Sequence, residues 1–168
     1  MTRRVFYSFH YQLDASRVQQ IKNIGAIEGQ KIVNSNEWEA VKRQGDLAIQ
    51  NWIDDAMMYT SCTIVLVGEE TADRKWVQYE IKHSFEQKRP IFGIYIDRIR
   101  NLQGQTARKG KNPFSRWSIG EGLNKKSLDT IIPIYDPKSS WQTPYTVIRQ
   151  NIEGWIEDAI KRGGTYHV

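Results

Sequence analysis

Cysteine is nearly absent. The chain holds one, Cys62, in 168 residues, which excludes an intramolecular disulfide framework and a cysteine-built zinc cage. Histidine is also scarce, with His10, His83 and His167 only. None of them has a second His or Cys at a ligand spacing, so no metal site is expected. No apolar run approaches the roughly 18 residues that span a bilayer. The opening MTRRVFYSF passes from two arginines straight into a short strand-like run, without the apolar stretch of a secretion signal. The expectation is a cytoplasmic protein with no membrane association. Also missing are internal repeats, low-complexity stretches, a glycine-rich dinucleotide fingerprint and a P-loop. Any nucleotide is therefore held without those devices. Ser8 has no Gly-x-Ser-x-Gly elbow around it and reads as a hydrogen-bonding group rather than a nucleophile.

Aromatic residues are plentiful. The 6 Trp, 8 Tyr and 5 Phe exclude a disordered tail, and the length suits one domain with a core of its own. Basic residues outnumber acidic ones, 24 to 19, for a net charge of +5 and a pI near 9.3. That balance raises nucleic acid as a partner. The charge is not spread evenly, however. Residues 97–126 contain eight Lys/Arg and two acids, a net +6, which leaves −1 for the rest of the chain. A basic surface confined to one segment argues against nucleic acid. Two readings of the segment stay open: attraction of a dinucleotide's phosphates or an acidic partner, or a solvated loop.

Strand and helix signals alternate. Val5–Phe9 is a continuous apolar and aromatic run and reads as a strand buried on both faces. A helix capped by Asp14 or Ser16 follows to about Lys22. Residues 24–35 read as loop with at most a weak strand. Asn36 and Glu39 fit a capping box, and a helical pattern then runs to Met58 with Ile49, Trp52, Ile53, Ala56 and Met57 on one face. Cys62–Val67 is the clearest strand, closed by Gly68. A helix from about Arg74 to Gln87 and a strand over Ile91–Ile96 follow. Residues 97–126 show little apolar periodicity and read as an insertion. Ile131–Tyr135, interrupted by Pro133, suits an edge strand. Thr143-Pro144 opens a last helix, with Ile148, Ile152, Trp155, Ile156 and Ile160 as its buried stripe. The pattern predicts an α/β fold: a doubly wound parallel sheet with helices on both faces, in one domain. Its core covers about residues 4–96 plus the strand and helix of 131–162, with the basic insertion between. Ligands in such folds bind at the carboxyl ends of the strands.

The helix after Cys62–Val67 carries the sharpest constellation. At about 100° per residue, Val77, Ile81, Ser84 and Phe85 form the core stripe. Trp76 and Glu80 lie together on its flank. A carboxylate beside an indole in a partly dry cleft is placed to stabilise positive charge developing on a substrate. The plainer reading is a boundary Glu paired with Arg74 or Lys82. Glu80-Ile81-Lys82 also spells part of a nuclease signature, but on a helix these two side chains diverge.

VFYSFHY (5–11), TIVLVGEETADRKWVQYEI (63–81) and PIFGIYI (90–96) together resemble the TIR-like family. Among its members they look most like the TIR-like proteins of Thoeris anti-phage systems. The likeness covers most of residues 4–96. TIR enzymes carry a Trp four residues before the catalytic Glu, a pair that maps onto Trp76 and Glu80. The Ser-Phe pair ending their first strand maps onto Ser8 and Phe9. Two departures stand out: Arg74 replaces a Ser common two residues before the Trp, and Val77 replaces a Cys after it. The C-terminal third does not match ordinary TIR domains.

The resemblance implies a flavodoxin-like sheet and cleavage of NAD+ at the nicotinamide–ribose bond, with NAD+ as substrate and no cofactor. Glu80 is then the catalytic carboxylate. Trp76 and Phe9 are candidates to stack on nicotinamide or adenine, while Ser8 and His10 are candidates to hold ribose hydroxyls or phosphate. Capture of the ribose by the same molecule would give a cyclic ADP-ribose-type signal. In Thoeris systems such a signal activates a separate effector protein after infection by a phage. TIR enzymes also assemble through TIR–TIR contacts. The alternative is a non-enzymatic interaction module of the same fold, which does not need Trp76 and Glu80 together.

Overall fold

Strand and helix alternate through the computed structural model, which describes residues 3–25, 27–30 and 35–164. Residues 26 and 31–34, read from sequence as loop, and the tail with His167 lie outside the described residues. The elements are β1 (Arg3–Ser8), α1 (Tyr11–Lys22), β2 (Ile27–Gly29), α2 (Ser35–Arg43), α3 (Asp46–Met57), β3 (Cys62–Val67), α4 (Lys75–Glu86) and β4 (Ile91–Tyr95). After these come the short strands β5 (Ser118–Ile119), β6 (Lys126–Ser127) and β7 (Ile134–Tyr135), and then α5 (Pro144–Arg162). Five strands form one parallel sheet in the order β2-β1-β3-β4-β7. This is the flavodoxin-like winding, whose direction reverses between β1 and β3.

Each central strand is apolar on both faces because both faces are covered. Val5, Tyr7, Ile64, Leu66, Phe92 and Ile94 meet Val18 and Ile21 of α1 and Ile148, Ile152 and Ile156 of α5. On the other face Phe6 meets Ile49, Ile53 and Met57 of α3, while Val65, Val67 and Ile91 meet Val77 and Ile81 of α4. The stripes read from the sequence on α3, α4 and α5 are thus the buried ones.

Several boundaries differ from the periodicity. α1 begins at Tyr11, three residues before Asp14, because the His10 ring caps it by accepting from Leu13 N at 3.3 Å. Asp14 is instead buried in the first turn and paired with Arg17 at 3.0 Å. The single helical pattern of 36–58 is two helices, broken at Gly45, whose φ of +95° is cheap only for glycine. α2 starts at Ser35, so Asn36 is helical rather than a cap, and Glu39 turns to Lys42 at 2.8 Å. β7 is shorter than Ile131–Tyr135, because a single helical turn at Leu128–Thr130 takes up the chain before Pro133.

The segment after β4 is more than a solvated loop. Phe114 and Leu128 are fully buried against the α4 side of the sheet. Arg17 holds the start of the segment, donating to Ile99 O at 2.6 Å and to Gln105 O at 3.0 Å. Gly110 lies so close to the end of β3 that a Cβ there would stand 2.0 Å from Gly68 O. Part of its charge is internal: Arg116 pairs with Asp73 and Lys109 with Asp136, each at 2.8 Å.

Two alanine substitutions separate packing from propensity. Gly110→Ala forces backbone against backbone and is expected to cost about 1–3 kcal/mol. Gly154→Ala, mid-helix with open space around its Cβ, is expected to gain about 0.5–1 kcal/mol. Thermal unfolding midpoints that move in opposite directions are the expected readout.

Candidate functional site

Ser8 is the last residue of β1, at the point where the sheet reverses direction, and its side chain is wholly buried. Its hydroxyl donates to Glu80 Oε2 on α4. The orientation of α4 makes that contact unavoidable. Ser84 Oγ bonds Thr63 Oγ1 of β3 at 2.8 Å, fixing the helix on the sheet. Gln78, on the opposite flank, donates to Ala72 O at 2.8 Å and Pro113 O at 3.1 Å, and accepts from Trp117 Nε1 at 2.7 Å. Glu80 is left facing β1, with 8% of its surface exposed.

Among the described residues no cation offsets the carboxyl. Lys82 pairs with Glu86 at 3.2 Å, and Arg74 bonds no described acid. The boundary ion pair and the nuclease pairing therefore both fail: the helix turns Lys82 away from Glu80. Burial pushes the Glu80 carboxyl up to about 8, against the pull of the Ser8 hydrogen bond, which favours the ionised form. A carboxyl poised near neutrality in a cleft is a recurrent mark of a functional group.

Glu80 opens onto a cleft that is partly open to solvent. Its walls are aromatic. Phe9, Tyr11, Trp38 and Trp52 form a chain with centroid separations of 6.2, 6.2 and 5.8 Å. Trp76 closes the other side, edge-on to Tyr79 at 5.7 Å. Gln12, Gln30 and Arg74 supply the polar lining beside Glu80. Gln30 acts as a surrogate strand: its side chain donates to Tyr7 O at 2.7 Å and accepts from Tyr7 N at 2.8 Å.

Of the residues singled out from sequence, Phe9, Trp76 and Glu80 line the cleft, and Ser8 touches it through Glu80. His10 is placed differently. Its ring is spent on capping α1, sits 3.7 Å from Glu70 Oε2 and is not part of the lining. Burial, then the charge of Arg74, hold its pKa below the ordinary value. Gln12, Gln30 and Trp38 were not identified as site residues from sequence, and Trp52 was read only as core. Trp38 and Trp52 carried only the signal of their aromatic character, and the two glutamines carried none.

Residues 6–101 match the family described as "Thoeris protein ThsB, TIR-like domain". A curated relative from Bacillus cereus (strain MSX-D12), named "Putative cyclic ADP-D-ribose synthase ThsB1", is 36% identical over 119 residues. The match takes in 68% of this chain and 62% of that protein, so the chain spans about three fifths of the relative's length. The family match covers more than half of the chain, with the end of β1, all of β3 and α4 and the whole Ser8–Glu80 contact inside it. On that match and the winding of its sheet, the chain belongs to the TIR-like domain family of the Thoeris protein ThsB.

Proposed function

We propose that this protein cleaves the nicotinamide–ribose bond of NAD+ and forms a cyclic ADP-ribose-type signal nucleotide in anti-phage defence. The observation that carries the reading is Glu80: a buried carboxyl without a cation partner among the described residues, at the base of an aromatic cleft. When the bond breaks, its electron pair leaves with the nicotinamide nitrogen. The released base is neutral and needs no acid. Positive charge builds on the ribose, as in glycoside cleavage, and the Glu80 carboxylate stabilises it in a site with little water. Trp76 and Phe9 stack on the flat bases, and Ser8 orients the carboxylate. A nucleophile on the same molecule then captures the anomeric carbon and gives a cyclic product. Water in its place gives the linear one.

NAD+ also supplies the missing cation. The pyridinium charge opposite Glu80 favours the ionised carboxyl, so binding brings the group into its working state. In this reading the product acts on a separate effector protein. A phage-derived trigger and self-association through TIR–TIR contacts control the enzyme. The relative's name, a cyclic ADP-D-ribose synthase, supports the same chemistry.

Purified protein, and lysate from phage-infected cells, incubated with NAD+ and separated by mass, test the proposal directly. Glu80→Gln is expected to lose roughly 10²–10³-fold or more of turnover. Equal turnover by the variant removes Glu80 from the mechanism. No turnover by any assembly or trigger favours the interaction module.

The pH profile provides a second check. kcat/KM is expected to rise with pH to a plateau above about 8, with the limb for kcat at lower pH because the bound pyridinium favours the carboxylate. Ser8→Ala removes the bond that favours the carboxylate, so its kcat/KM limb is expected to move upward.

Stability follows the same proton. The folded chain holds it more tightly than the unfolded one, whose ordinary value is 4.5. That stabilisation is complete below about pH 4.5 and is lost as pH rises to about 8. Thermal unfolding of the wild type is therefore expected to drop relative to Glu80→Gln across that window.

A further inference from the structure

Among the described residues the cleft is lined by rings, Val77, two amides, the Glu80 carboxyl and one cation, Arg74. Its charge is paired with no acid among the described residues. Arg74 follows the Thr71–Asp73 turn and leads into α4 with extended backbone, φ −83° and ψ 124°. Its neighbours are engaged: Asp73 with Arg116 at 2.8 Å, and Lys75 with Asp46. Glu70, on the same loop, faces His10 at 3.7 Å. Among the described residues the Arg74 side chain makes no hydrogen bond and no ion pair, its backbone alone bonding Thr71 O and Gln78 N, although acids stand on its own loop. A guanidinium kept solvated at the rim of a cleft, two-pronged and permanently charged, suits an incoming phosphate.

Arg74 and Glu80 line the same cleft, Arg74 at the start of α4 and Glu80 six positions on, about 9 Å of axial rise. That is the scale of a ribose with its 5′ methylene and the reach of an arginine. With the glycosidic carbon at Glu80, the phosphates come to Arg74. We propose that Arg74 is the specificity-determining residue of the cleft and binds the diphosphate of a dinucleotide. The assignment rests on the NAD+ reading above and adds the reason for preferring a dinucleotide to a phosphate-free riboside.

Calorimetry with ADP-ribose on wild type and Arg74→Gln tests it without requiring turnover. Arg74→Gln is expected to weaken binding roughly tenfold or more and to reduce its salt dependence, with an unchanged thermal midpoint. Arg74→Lys should recover part of the affinity, keeping the charge but losing the fork. In kinetics, the KM for NAD+ should rise by a similar factor with kcat within about twofold, while cleavage of nicotinamide riboside stays the same. ADP-ribose binding that does not depend on Arg74, or no binding by the wild type, overturns the proposal. So does an equal loss on nicotinamide riboside, which marks a merely structural role. Arg74-dependent binding without NAD+ turnover leaves the arginine assigned and rejects the enzyme reading. Turnover with an Arg74-independent KM does the reverse.

Discussion

A carboxyl group held out of water, with no cation beside it among the described residues, sets the character of this protein. Leaving Glu80 at the base of the cleft costs free energy whenever it is ionised, because burial disfavours the charged form. The Ser8 hydroxyl relieves that cost only in part. The fold tolerates the arrangement because a proton neutralises the group when the cleft is empty. A ligand bearing positive charge opposite Glu80 removes the need for the proton. Binding and ionisation are thereby coupled at one atom pair, and the surrounding rings keep the coupling strong by excluding water.

The sheet makes this site available at one place only. Both faces of β1, β3 and β4 are sealed by helices, so polar chemistry can arise only where the strands end. Ser8 is the residue at which β1 stops, beside the reversal of winding. α4 is locked against β3 by Ser84 and against the later segment by Gln78, which leaves its third flank to deliver Trp76 and Glu80. The segment after β4 takes part in this bracing. Phe114 fills the space over Gly93, where a Cβ would stand 3.4 Å from the ring, and Arg116 ties the segment to the loop before α4. Its basic charge therefore serves the architecture at two positions at least, and the cation that lines the cleft, Arg74, comes from outside it.

Much of this was legible in the residues. β3 is bounded as its apolar run and Gly68 suggest, α5 starts at the Thr143-Pro144 pair, and the stripes of α3, α4 and α5 are the buried ones. The misreadings share one cause: a local rule was overtaken by a contact from elsewhere. Asp14 and Ser16 looked like caps of α1, yet the His10 ring accepts from Leu13 N and takes that place. Periodicity carried one helix through Gly45, since a 3.6-residue pattern does not register a single residue at positive φ. Gln30 carries no signal at all; its role exists only because β1 offers unpaired backbone at Tyr7 beyond the end of β2.

The sequence alone determined the layered α/β class, the pairing of Trp76 with Glu80 on one flank of a helix, and the confinement of excess charge to 97–126. These follow from period, spacing and composition, which are local quantities. Only the tertiary structure decided that Glu80 meets Ser8 rather than a lysine, that Trp38 and Trp52 face the same cleft, and that Arg74 stays unpaired beside them. Each of those depends on how separate elements cross in space, and one-dimensional spacing does not encode the angle at which a helix is set on a sheet.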